Sequence, residues 1–300
     1  SVLLRTILQL KPLARFYGSC NPLKKRFTVT VVQSNLVWED VAANIDHFEK
    51  LLSVEKLRAI STDLILLPEM FTTGFTMHPE RVAEKMNGFA VSWMQKIAKE
   101  KQAAICGSLV ISAADKFYNR FIFVHPTGEI ETYDKRHSFT LAGEDKVYTS
   151  GTEKIIIEYK GWRICPLICY DLRFPVWSRN SSFCHSEPVE GQKNLQPVYD
   201  ILIYIANWPA ARKAPWSKLL EARAIENQCY VVGVNRVGED GKGFSYSGNS
   251  AIINPKGEPI FTTPENENCT ESINISLKEL NVFRKVFPVG MDADEFGITH

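Results

Sequence analysis

The chain has 300 residues, 45% of them hydrophobic, and its 35 basic and 34 acidic side chains leave a formal net charge of +1. That length is enough to bury a large core, and the balanced charge, with no basic stripe or acidic block in the body of the chain, argues against a nucleic-acid partner. No apolar run approaches the roughly 20 residues that cross a bilayer, so no membrane partner is expected either.

Residues 1–26 stand apart. They carry Arg5, Lys11, Arg15, Lys24, Lys25 and Arg26 with no acidic residue, alongside Leu3, Leu4, Ile7, Leu8 and Leu10. This composition fits an organellar transit peptide or a poorly ordered extension, and both readings stay open. A cytoplasmic location is expected, or a mitochondrial or other organellar one if the segment is a transit peptide.

From residue 27 a strand over 27–32 leads to a helix over 40–57, with Val41, Ile45, Phe48, Leu51, Leu52 and Leu57 near helical spacing. A short, fully apolar strand covers 64–67. After a loop through Gly74 and Pro79, a helix is predicted over 90–101, then strands over 104–111, 117–125 and 129–133. Pro126-Thr127-Gly128 signals a hairpin between the last two. In the second half, strands over 154–159 and 163–168 join across Lys160-Gly161, and another covers 201–206. A helix over 216–227 precedes strands over 230–235, 250–254 and 259–262. Residues 181–198 lack apolar periodicity and read as a surface insertion. Hairpins mixed with helical crossovers predict an α/β fold with two stacked mixed sheets between helical layers. With no linker break, residues 27–300 are expected to form one domain.

Three apolar segments end in a chemically useful side chain. Asp63-Leu64-Ile65-Leu66-Leu67-Pro68 runs into Glu69, the strand ending at Tyr133-Asp134 delivers Lys135, and Ile164-Cys165-Pro166-Leu167-Ile168 ends at Cys169. A buried strand fixes a thiol in place, and the turn after it offers a backbone N–H to a developing oxyanion. Singly, each has an ordinary explanation: a solvated carboxylate, a charged turn, a core cysteine. Cys106, Cys165 and Cys229 are read as inert core residues. Seven cysteines, an odd number scattered through strand-like segments, suit a reducing compartment better than a disulfide framework. Cys165 and Cys169 lack a second ligand cluster, so no metal is expected. His137 is read as structural, nothing in the sequence marking it as oriented by a third group.

Leu67-Pro68-Glu69, Tyr133-Asp134-Lys135-Arg136-His137, Cys169-Tyr170-Asp171-Leu172-Arg173-Phe174-Pro175 and Asn207-Trp208-Pro209, in this order, resemble the nitrilase superfamily of carbon–nitrogen hydrolases. The branch most resembled is that of the omega-amidases, which hydrolyse the terminal amide of 2-oxoglutaramate and 2-oxosuccinamate. The resemblance implies a four-layer α-β-β-α sandwich, with Glu69 as general base, Lys135 as catalytic lysine and Cys169 as nucleophile. Glu144, with Asp145 as its neighbour in register, matches the glutamate that orients the lysine. Lys135 and the Tyr170 N–H would hold the oxyanion of a thioester-forming reaction between a small amide and water, with no metal or organic cofactor. Arg173 could pair with a substrate carboxylate or form a buried structural ion pair. Phe75, Tyr170 and Trp208 are candidate pocket walls. A homodimer packed around the Cys169 strand and a helix after it is also implied. Other activities of the superfamily remain open: nitrilase, N-carbamoyl amide hydrolase or deaminated glutathione amidase. A non-catalytic dimeric interaction protein on the same fold is the reading from a different class.

Overall fold

The computed structural model describes residues 26–53, 61–180 and 197–294. The basic extension therefore lies almost wholly outside the described residues, as do residues 181–196 of the expected insertion. Strands β1 (Arg26–Gln33), β2 (Leu64–Leu66), β3 (Ala104–Ala113), β4 (Lys116–Val124) and β5 (Ile130–Asp134) begin one sheet. Strands β6 (Ile157–Tyr159), β7 (Trp162–Ile168), β8 (Ile201–Ile205) and β9 (Tyr230–Val234) begin a second. A small ribbon follows, β10 (Val237–Glu239) with β11 (Ser245–Ser247). The chain then returns to the second sheet as β12 (Ala251–Ile253) and β13 (Pro259–Thr262), and to the edge of the first as β14 (Cys269–Ser276).

Spatial order is β14-β1-β2-β3-β4-β5 in one sheet and β13-β12-β9-β8-β7-β6 in the other. Each is mixed. The trios β1-β2-β3 and β7-β8-β9 are parallel, and the flanking strands are antiparallel. Period-two alternation explains the stacking: Leu64 and Leu66, like Phe121 and Phe123, enter a core shared with the second sheet. Their neighbours Ile65, Leu67, Ile122 and Val124 face the opposite way. That outer face is covered by α1 (Val41–Ser53) and, beyond the single turn α2 (Pro79–Val82), by α3 (Phe89–Lys101). Ile45, Phe48, Trp93, Met94 and Ile97 supply the helical side of this layer. On the other flank α4 (Lys213–Asn227) lies against the second sheet so closely that a Cβ on Gly233 would sit 2.5 Å from Leu220. The helix α5 (Leu277–Val286) closes the chain, and the architecture is the expected four-layer α-β-β-α sandwich.

Several boundaries differ from expectation for identifiable reasons. Helix α1 ends at Ser53, and the rest of the predicted helix lies outside the described residues. The strand predicted over 154–159 is regular only at Ile157–Tyr159, where it pairs with β7 as an edge strand. Its two-residue turn works because Lys160 and Gly161 both take positive φ, 50° and 78°. Helix α4 begins at Lys213, ahead of the predicted residue 216. Pro215 stands in its first turn, where a missing N–H costs little. No α-helix follows Cys169 before residue 181. The expected turn is itself a 3-10 helix, Cys169–Arg173, and Pro175 leads into further turns.

Candidate active site

The named side chains arrive from strand ends of both sheets. Beyond β2 the chain turns at Met70, φ 43°, just after Glu69. The Met70 N–H donates to Ser108 Oγ at 2.8 Å. Lys135 follows β5 directly, its N–H still bonded to Asn119 O of β4 at 3.0 Å. Cys169 follows β7 with φ 44°, the left-handed region that a non-glycine residue occupies at some cost. Asp171 braces that turn. Its Oδ2 accepts from the Ile168 N–H at 3.0 Å and the Tyr133 hydroxyl at 2.7 Å, and its Oδ1 accepts from the His137 N–H at 3.0 Å. The buried Asp171 thus fastens the cysteine turn to the loop carrying Lys135.

Lys135 Nζ lies 3.0 Å from Glu69 Oε1 and 3.0 Å from each carboxylate oxygen of Glu144. All three side chains are buried. Glu144 Oε2 also accepts from the Phe139 N–H at 2.6 Å. Its neighbour Asp145 is exposed. Asn119 Nδ2 donates to Glu69 Oε1 at 2.7 Å, and the Asn207 N–H donates to Glu69 Oε2 at 2.7 Å. Cys169 Sγ, partly accessible, is 3.9 Å from Asn207 O.

Burial works against the Lys135 ammonium, but Glu144 and Glu69 outweigh it and hold its pKa above the ordinary lysine value. Burial raises the Glu144 pKa; Lys135 opposes that rise and Glu69 adds to it. The Cys169 thiol is pushed well above its usual range by burial and then by Glu69, with Lys135 opposing. A thiol held high in this way is a weak nucleophile until a base takes its proton.

A cavity of about 530 Å³ opens onto Cys169 and Lys135, while neither glutamate lines it. Phe75, Tyr170 and Trp208 are among its walls, joined by Phe139 and Tyr246. Lys135 Nζ sits 5.1 Å from the Phe75 ring centre. Arg173 is exposed at the cavity and lies over the Trp208 ring at 5.1 Å. This excludes the buried structural pair allowed for it, and among the described residues it has no carboxylate at ion-pairing distance. Arg212 and Lys242 also line the cavity. Asp240, the one acidic wall residue among the described residues, is already bonded to the Lys242 and Phe244 N–H groups and the Tyr246 hydroxyl.

His137 has an orienting partner that the sequence did not mark. Its Nδ1 pairs with Asp171 Oδ1 at 2.7 Å, and its ring stacks on Phe174 at 3.8 Å, which makes it part of the brace. Sequence reasoning missed Ser108 and Asn119, and it quoted Asn207 without giving it a task. The available signal was a polar residue on an otherwise apolar alternating row. Among the described residues no three His, Cys, Asp or Glu side chains gather as a metal site, and no helix is long and apolar enough to cross a membrane.

Comparison with known proteins bears on this constellation. The carbon–nitrogen hydrolase family matches residues 28–285. An omega-amidase of Escherichia coli, YafV, is 44% identical over 269 residues, covering 89% of this chain and 97% of that protein. A 2-oxoglutaramate amidase of Bacillus subtilis is 30% identical over 267 residues, covering 88% and 96%. The solved structure of XC1258 from Xanthomonas campestris, a superfamily protein with an arsenic adduct in its active site, superposes with a TM-score of 0.84 at 39% identity, covering 91% of this chain and 99% of that one. The chain belongs to the carbon–nitrogen hydrolase family and, within the nitrilase superfamily, to the omega-amidase branch.

Proposed function

We propose that this enzyme hydrolyses the terminal amide of small 2-oxo acid omega-amides, of the 2-oxoglutaramate and 2-oxosuccinamate type, to the acid and ammonia. The observation that carries the reading is the partition of the site: thiol and ammonium face the cavity, and the carboxylates stand behind them. The similarity to proteins named for omega-amide hydrolysis supports it. Arg173 would receive the substrate carboxylate through its planar fork.

In the first half-reaction Glu69 takes the Cys169 proton as sulfur attacks the amide carbon. Lys135 and the Tyr170 N–H stabilise the oxyanion, and Glu69 returns the proton to the departing nitrogen, leaving a thioester and ammonia. Glu69 then deprotonates water, hydroxide attacks the thioester, and the acid leaves as the thiol is restored. Glu144 keeps Lys135 charged and in place, so the cluster titrates as a set.

The protein is also proposed to be a homodimer with a single domain over residues 27–300. Val282, Val286, Phe287 and Met291, exposed together in and after α5, supply apolar surface for a partner copy.

Ammonia release from a panel of omega-amides, nitriles and carbamoyl amino acids tests the reading, with Cys169→Ala as control. Turnover of a 2-oxo omega-amide that vanishes in the variant supports it. Turnover of another panel member alone changes the substrate, and silence from folded protein overturns it.

A further inference from the structure

Ser108 and Asn119 continue the inward-facing rows of β3 and β4, where Ala104 and Cys106, and Phe123 and Phe121, supply core. Both are buried polar residues in an apolar layer, and such groups persist when their hydrogen bonds are complete. Ser108 Oγ accepts from the Met70 N–H at 2.8 Å and donates to Asn119 Oδ1 at 2.8 Å. With its oxygen so engaged, the Asn119 amide presents only N–H to Glu69.

A carboxylate oxygen has two in-plane lone pairs. Those of Glu69 Oε1 receive Lys135 Nζ at 3.0 Å and Asn119 Nδ2 at 2.7 Å. Among the described residues Oε2 receives only the Asn207 N–H at 2.7 Å, which leaves it a lone pair free to take a proton. We propose that Asn119, oriented by Ser108, is a positioning residue that confines the mobile proton of Glu69 to Oε2. The S–H bond then breaks toward Oε2 as the C–S bond forms. The same oxygen returns the proton as the C–N bond breaks, so one oxygen serves both transfers. The inference rests on the reading of Glu69 as general base.

The test is the pH dependence of kcat/KM, with kcat and KM separately, for wild type, Asn119→Leu, Ser108→Ala and Glu69→Gln, all normalised by active-site titration. Lys135, Glu144, Cys169 and Tyr148 are the charged and titratable groups facing Glu69, and these variants alter none of them. Removing a donor from a carboxylate raises its pKa. In Asn119→Leu the acid limb is expected to move up and kcat to fall roughly tenfold or more, with KM within about twofold. Ser108→Ala, which frees the amide to turn over, is expected to shift the limb the same way by less, and it carries the test alone if the leucine variant does not fold. An unmoved acid limb, or a rise in KM alone, overturns the proposal. A silent Glu69→Gln beside an unmoved Asn119→Leu rejects the positioning role and keeps the base. An active Glu69→Gln rejects both.

Discussion

Asn207 and Glu69 grip each other twice: the Asn207 backbone N–H reaches Glu69 Oε2 at 2.7 Å, and its side-chain Nδ2 reaches the Glu69 carbonyl at 2.6 Å. Asn207 follows β8 of one sheet and Glu69 follows β2 of the other, so the second sheet holds the carboxylate assigned as base. Asn207→Leu keeps the first contact and removes the second, stranding a buried carbonyl. The loss of about 1–3 kcal/mol should lower kcat roughly tenfold to hundredfold as Glu69 loses its fixed orientation. Steady-state ammonia release, with circular dichroism to verify the fold, measures it.

The elevated thiol pKa of Cys169 separates this site from one built on a preformed thiolate. Loss of activity with iodoacetamide should follow, one for one, the label that accumulates on Cys169. The rate should still be rising with pH beyond the ordinary thiol value, because the thiolate fraction there remains small. A plateau in the neutral range would contradict the arrangement. Peptide mapping should leave the buried Cys106, Cys165 and Cys229 unlabelled in the native protein.

Arg173 offers a test of substrate charge. With no carboxylate at ion-pairing distance among the described residues and its guanidinium over Trp208, Arg173→Met should raise KM for 2-oxoglutaramate by about tenfold to hundredfold, the value of a charge-assisted hydrogen bond. Turnover of a small uncharged amide should change little. Equal losses on both substrates would assign Arg173 to the shape of the cavity instead.

Away from the site, Asp200 sets an acid limit on stability. Burial alone would raise its pKa, but Arg163 at 2.8 Å and Arg284 at 2.6 Å outweigh burial and hold it below the ordinary aspartate value. A depressed folded-state pKa contributes stability that is full above the unfolded value of about 3.9 and is lost as pH falls through the folded one. Asp200→Asn should therefore cost roughly 2 kcal/mol at neutral pH, discounted for the partly exposed Arg163. It should also flatten the dependence of Tm on pH below about 4. Thermal melts of both proteins between neutral and acid pH decide this.

Much of the sandwich was legible because its strands are short apolar runs bounded by turn residues. Leu64-Ile65-Leu66-Leu67, too short for a helix, reads as a strand buried on both faces. The groups at strand ends could be found for the same reason, since charge directly after an apolar run stands out. Ser108 and Asn119 were passed over because a polar residue within a strand is ordinarily taken to face solvent; their places on the apolar rows of β3 and β4 were the signal against that reading. Strand β14 was missed because Thr270, Glu271, Ser272 and Asn274 give it a polar character suited to a sheet edge. Helix α5 had a signal that went unused: Ser276 with Glu279 three residues on, where Ser276 Oγ accepts the Glu279 N–H at 3.2 Å.

Because Glu69 and Asn207 are 138 residues apart along the chain, and Cys169 and Lys135 end strands of different sheets, the site has no precursor in any contiguous fragment. Contacts between such distant segments form late, after the entropy of closing long loops has been overcome. Recovered ammonia release during refolding would then act as a clock for the docking of the two sheets, running behind the return of backbone circular dichroism. Under mild denaturation the order reverses, and catalysis should fade before secondary structure does.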